Sequence, residues 1–340
     1  MVQAAVIMGS VLLSIAGLVS AAFMLVSLVT LVYCVAIYKQ EKKAMRKSSF
    51  LGICNFVYTW VFGSYWAIIM MSPRIIANGF KITPEISSAA FEYACDIGHR
   101  IVRRVIEPPL VMGADNLPKD QSSPVIYVAN HQSMIDIALL YYLGRRFRWV
   151  SKAAVFTIPG VGRLMRCAGD VPLRRGHGGS VAAMFAGCRH SLARERVSVM
   201  VFPQGTRARH AILPFKDGAF SLAAELGLCV VPITIDVPED IWACRHRRCT
   251  LTIHKPIQPP GDLPDGAARD GPPAAAAAAT SSRGAVALLR QAAYDAVVQA
   301  LPYYSKELED LGQRSSEAAR RRRQARNKGA GNGGAFPSPG

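Results

Sequence analysis

A histidine and an aspartate five residues apart are the pair in this chain best suited to moving a proton. They are His131 and Asp136 in Asn130-His131-Gln132-Ser133-Met134-Ile135-Asp136. A carboxylate on one ring nitrogen holds an imidazole in a single tautomer and leaves the other nitrogen as a base near neutral pH. The plainer reading is a structural histidine beside a chance aspartate. A second segment, Phe202-Pro203-Gln204-Gly205-Thr206-Arg207, weighs against that reading. Gly205 lets the backbone approach a ligand closely, and the planar fork of Arg207 suits a phosphate monoester. Between the two lies Gly169-Asp170-Val171-Pro172-Leu173-Arg174-Arg175, a short strand ending in arginines. A fourth piece, Val231-Pro232-Ile233-Thr234-Ile235, is nearly all apolar and reads as a buried strand. No Gly-x-Ser-x-Gly elbow supplies a serine nucleophile, and no Gly-rich loop ends in Lys-Ser or Lys-Thr.

The elements that must position these residues alternate. Short β-branched runs at 125–129, 148–152, 197–202, 230–235 and 250–254 read as strands. The intervals 135–143, 181–194 and 218–226 carry helical patterns, and 80–107 forms helix up to Pro108-Pro109. Such alternation predicts an α/β domain with a mostly parallel sheet flanked by helices, where sites gather at strand-to-helix turns.

Taken together and in this order, the four blocks resemble the glycerolipid acyltransferase family, which includes the 1-acylglycerol-3-phosphate acyltransferases. The family's first motif is Asn-His, four variable residues, then Asp, matched by Asn130, His131 and Asp136. Its third, Phe-Pro-Glu-Gly-Thr-Arg, is matched at five of six places by residues 202–207. The arginine of its second block corresponds to Arg174 or Arg175, and its Val-Pro strand to Val231-Pro232. Residues 214–220, Pro-Phe-Lys-Asp-Gly-Ala-Phe, are similar to the segment following the third motif. The resemblance covers about residues 110–257. It implies acyl transfer from acyl-CoA to the sn-2 hydroxyl of 1-acylglycerol-3-phosphate, with His131 as base and Asp136 orienting it. It also implies substrate contacts by Gly205, Thr206, Arg207, Arg174, Arg175 and Lys216. Acyl-CoA enters as co-substrate; no cofactor and no metal are expected. Gln204 stands where the family has Glu, keeping the size and the carbonyl acceptor but not the charge.

Around this core the chain divides into an N-terminal membrane segment at 1–78, a catalytic domain at 79–260, and a tail at 261–340. The tail holds a low-complexity linker, a short helix at 285–301 and a basic disordered end at 320–328. From Ala4 to Tyr38 there is no charged residue, and about 20 apolar residues suffice to span a bilayer. A basic cluster follows (Lys39, Lys42, Lys43, Arg46, Lys47), which the positive-inside rule keeps cytosolic. The apolar stretch 50–71 then dips into one leaflet or lies along the interface. A formal charge of +17 calls for an acidic partner, and the apolar start makes that partner anionic lipid rather than nucleic acid. Cys244, His246 and Cys249 fit no common zinc spacing, and eight cysteines without a framework suit a reducing compartment. The expected location is the endoplasmic reticulum membrane with the catalytic domain cytosolic, or the plastid envelope. Two other readings remain: an acyltransferase for glycerol-3-phosphate or another lysophospholipid, and a non-catalytic membrane protein that binds anionic lipid.

Overall fold

The computed structural model describes residues 24–39, 50–120, 122–208, 213–239, 241–242, 247–259, 272–301, 313, 314 and 317. Lys42, Lys43, Arg46, Lys47, Cys244, His246 and the basic tail at 320–328 lie outside the described residues. The helices are α1 (Met24–Lys39), α2 (Phe50–Ala77), α3 (Pro84–Val105), α4 (Ile135–Leu140), α5 (Val161–Ala168), α6 (Gly178–Arg189), α7 (Gly218–Leu226) and α8 (Pro272–Gln299). The strands are β1 (Leu110–Met112), β2 (Ile126–Ala129), β3 (Phe147–Lys152), β4 (Val171–Leu173), β5 (Ser198–Val201), β6 (Val230–Asp236) and β7 (Thr250–Ile253). The expected class, a mostly parallel sheet flanked by helices, is present. The chain forms two compact units, each assembled from separate stretches.

One unit comprises residues 1–110, 137–184 and 237–249. Here β3 and β4 pair in parallel, with Val150 opposite Val171. Helix α3 starts where Thr83 accepts the Ile86 N–H, with Pro84 at a position that tolerates its missing donor. It packs against α2 closely enough that a Cβ on Gly63 would come within 2.8 Å of Ile97. Among the described residues α2 is the one helix long and apolar enough to cross a bilayer. One of its faces is buried in the protein through Ile53, Phe56, Val57 and Met71. The other exposes Leu51, Trp66, Ile69, Met70 and Ile76. This unit also encloses a cavity lined by Phe56, Trp60, Ile101, Leu164, Tyr141 and Asp170.

The second unit comprises residues 111–136, 185–236 and 250–340. Its strands follow the order β7-β6-β2-β5. Strand β2 pairs in parallel with β5 (Val128 opposite Val201) and with β6 (Ala129 opposite Ile233). Only the β6–β7 pairing is antiparallel in this set. Buried on both faces, β2 and β6 read as the continuous apolar runs expected of central parallel strands. The helix expected at 285–301 begins earlier, at Pro272. It runs through the Ala274–Ala279 stretch that was expected to be linker, as alanine, the strongest helix former, favours. Helix α8 is fastened to β6 by Thr234, whose hydroxyl donates to the Val297 carbonyl at 2.9 Å.

Candidate active site

Because β2 and β5 are parallel neighbours, the loops that leave their C-terminal ends emerge on the same edge of the sheet. The first loop carries Asn130 to Asp136 and the second Phe202 to Arg207. Asn130 is buried and spans to β6: its Nδ2 donates to the Ile235 carbonyl at 2.8 Å, and its Oδ1 accepts the Ile235 N–H at 2.7 Å. That reciprocal pair ties the start of the loop to a strand two positions from β5.

Asp136 sits in the first turn of α4 with its side chain completely buried. Its Oδ2 lies 2.7 Å from His131 Nδ1. The same oxygen accepts the Gln132 N–H at 2.6 Å and the Ser133 N–H at 2.9 Å. Ser133 and Asp136 thereby make half of a capping box, so one carboxylate both starts the helix and aims the imidazole. With Nδ1 donating to Asp136, the tautomer leaves Nε2 as the basic nitrogen.

The second loop holds His131 from three sides. The Phe202 ring lies against the imidazole, centroids 4.0 Å apart and planes 9° apart. Gln204 Oε1 accepts the His131 N–H at 2.8 Å, and the Ala208 N–H donates to the His131 carbonyl at 2.9 Å. The His131 side chain keeps 15% of its surface exposed.

Gly205 adopts φ +74°, the left-handed region. A Cβ there would stand 2.5 Å from Lys216 Nζ, so the lysine head group occupies the space over this glycine. The Lys216 N–H donates to the Pro203 carbonyl at 3.0 Å, which holds the two residues side by side. Arg207 is half-buried and Thr206 exposed. His131, Asp136, Gly205, Thr206, Arg207 and Lys216 thus fall in one unit. Arg174 and Arg175 belong to the other, on the exposed turn after β4, where the Arg174 N–H donates to Ser180 Oγ at 2.8 Å. Among the described residues no three metal-binding side chains converge. For Gln204, sequence reasoning left open whether the side chain places backbone or Arg207 by hydrogen bonding; the bond to the His131 N–H is to backbone. It missed the holding roles of Phe202 and Ala208. The only signal was that the second loop leaves a strand adjacent to β2.

Residues 109–236 match the model of the family described as Acyltransferase. A chloroplastic 1-acyl-sn-glycerol-3-phosphate acyltransferase of Brassica napus is 39% identical over 154 residues, 43% of this chain and 44% of that protein. The human 1-acyl-sn-glycerol-3-phosphate acyltransferase alpha is 30% identical over 162 residues, 46% of this chain and 56% of that protein. The chain therefore spans about half the length of the curated relatives it matches. In fold it is similar to the crystal structure of the 1-acyl-sn-glycerophosphate (LPA) acyltransferase from Thermotoga maritima. That likeness has a TM-score of 0.50 at 21% identity and covers 74% of this chain and 99% of that one.

Proposed function

We propose that this chain, whose residues 109–236 belong to the acyltransferase family, moves a fatty acyl group from a thioester donor, acyl-CoA, to the sn-2 hydroxyl of 1-acylglycerol-3-phosphate. The product is phosphatidic acid. The observation that carries this reading is His131 Nδ1 held 2.7 Å from Asp136, which leaves Nε2 to act as base. His131 takes the acceptor's hydroxyl proton as that oxygen attacks the thioester carbonyl. As the C–S bond breaks, the proton returns from the imidazolium to the departing thiolate. Asp136 stays ionised throughout and stabilises the imidazolium. General-base assistance of this kind contributes roughly 10²–10⁴ in rate.

Arg207 and Lys216 are the cations for the acceptor's phosphate, Arg207 through its fork and Lys216 as a point charge over Gly205. Arg174 and Arg175 are further candidates, resting on the resemblance alone. The relatives named for 1-acyl-sn-glycerol-3-phosphate favour that acceptor over glycerol-3-phosphate.

Helices α1 and α2 keep the chain at a bilayer, where the acyl chains of both substrates reside. Because α2 buries one face in protein and exposes the other, it lies along the interface rather than crossing it, and Arg74 and Lys81 near its end face anionic headgroups. Of the two compartments named above, the plastid envelope is favoured by the relatives called chloroplastic.

The test is acyl transfer from labelled oleoyl-CoA in membranes containing the protein, with lysophosphatidate, glycerol-3-phosphate and neutral lysophospholipids offered side by side. Selective labelling of lysophosphatidate that disappears in His131→Ala is the expected result. Labelling that survives His131→Ala would overturn the mechanism, and labelling of another acceptor would overturn the substrate.

A further inference from the structure

Both chain neighbours of Lys216 are held by the same helix, α8. On one side Phe215 is buried, and its ring meets the Tyr294 ring edge-on, centroids 5.3 Å apart and planes 86° apart. On the other side Asp217 accepts a hydrogen bond from Arg290 Nη1 at 2.6 Å. Arg290 and Tyr294 are four residues apart, so a single face of α8 presents both. Three residues further on, the Val297 carbonyl takes the Thr234 hydroxyl of β6, which ties this stretch of helix to the sheet. Helix α8 lies outside residues 109–236, the stretch that matches the family model.

These contacts hold the backbone on either side of Lys216, and the bond from its own N–H to the Pro203 carbonyl adds a third tie. From that root the side chain ends over Gly205, where an added Cβ would lie 2.5 Å from Nζ and 3.1 Å from Cε. A lysine carries its charge on a flexible stem, so the space the ammonium can reach depends on where the root is held. The ion pair contributes little to the fold, because Arg290 and Asp217 are 36% and 60% exposed and solvent screens such pairs. We propose that Arg290 and Tyr294 are positioning residues for Lys216, bracing residues 215–217 so that the ammonium stands ready for the acceptor's phosphate. The kinetic side of this rests on the acyl-transfer reading above; the brace itself does not.

The test compares the full chain in detergent–phospholipid micelles with Arg290→Ala, Tyr294→Leu and a control, Gln291→Ala. Gln291 is exposed on α8 and bonds only along the helix, to Asp295. Hydrogen exchange at the Lys216 amide reads the brace without any substrate. It should quicken on the order of threefold or more in Arg290→Ala and Tyr294→Leu and keep the wild-type rate in Gln291→Ala. A variant with wild-type protection removes that residue from the role, and wild-type protection in both overturns the brace. Arg290→Ala alters a part-exposed side chain, so it decides the matter even if Tyr294→Leu does not fold.

In steady state, Arg290→Ala should raise KM for lysophosphatidate roughly threefold with kcat within about twofold of wild type. In a Lys216→Ala background the same change should raise KM no further, since the residue it positions is gone. An increase of full size in that background overturns the proposal, as does a wild-type KM or a change confined to kcat in Arg290→Ala alone. If the wild-type protein transfers to no phosphate-bearing acceptor, the acyl-transfer reading fails and the phosphate role of Lys216 with it. Hydrogen exchange then decides the brace by itself.

Discussion

His131 and Phe202 lie face to face, ring centroids 4.0 Å apart and only 9° from parallel, although 71 positions separate them in the chain. The aromatic face closes one side of the imidazole and Asp136 takes Nδ1, with 15% of the side chain left exposed. A stack of this kind is worth about 0.5–1.5 kcal/mol beyond the area it buries. Phe202→Leu should therefore lower kcat by roughly three- to tenfold, with KM for lysophosphatidate nearly constant. Phe202→Tyr should retain wild-type kcat. Initial-rate kinetics on the two variants check this, and a Leu variant as fast as wild type would assign the stack no role.

Asn130 bears on stability rather than on chemistry. Its amide satisfies both the N–H and the carbonyl of Ile235, in the buried middle of the sheet. Removing it strands two buried backbone groups, at about 1–3 kcal/mol each. Asn130→Ala should lose roughly 2–6 kcal/mol of unfolding free energy, measured by denaturant titration in detergent. Asn130→Asp should fare no better, because a carboxylate oxygen would then face the Ile235 carbonyl where Nδ2 now donates.

The parts legible in the sequence were those set by local pattern. Strands β2, β5 and β6 are short apolar runs with β-branched residues, and each was placed to within a residue or two. The His131–Asp136 pair was legible because the two share one turn. Strand β1, three residues after a Pro-Pro pair, and α5, eight residues carrying two arginines, offered too little periodicity. The early start of α8 was hidden because an alanine run has no apolar face to register, although alanine favours helix. The grip on His131 was hidden for another reason. It depends on which neighbour β2 takes in the sheet, and a linear pattern does not encode strand order. The resemblance marked Gly205, Thr206 and Arg207 for substrate, and left residue 204 as a positioner of backbone or Arg207 without pointing to His131.

Asp170 gives the stability a pH dependence unconnected with catalysis. Its half-buried carboxyl lines the unit-one cavity and accepts the Trp149 N–H at 2.9 Å. Burial pushes its pKa up from the ordinary carboxylate range to about 7, against the opposing pull of the Trp149 N–H and Arg148. Since the folded form holds its proton more tightly than the unfolded chain, the stabilisation is complete below about pH 4. It is lost as pH rises through 7, by at most about 1.4 kcal/mol per unit. The thermal midpoint should fall between pH 5 and 8. Asp170→Asn, which keeps the acceptor for Trp149, should flatten that slope and be the more stable protein at pH 8. An unchanged slope in the variant would place the effect elsewhere.

Gly205 links backbone conformation to substrate charge. At φ +74° any other residue costs about 1–2 kcal/mol, and the added methyl would meet Lys216 Nζ at 2.5 Å. The lysine head is flexible and exposed, so it moves aside rather than breaking the fold. Gly205→Ala should therefore lose about 1–2 kcal/mol of stability, from its backbone conformation alone, and raise KM for lysophosphatidate several-fold, and Lys216→Ala should raise it similarly. If the glycine acts by giving the ammonium its place, the two effects do not add. The double variant should bind no worse than Lys216→Ala alone, to within about 0.5 kcal/mol in a double-mutant cycle. Full additivity would mean that Gly205 serves the substrate directly, by letting the backbone approach it, and that Lys216 acts independently.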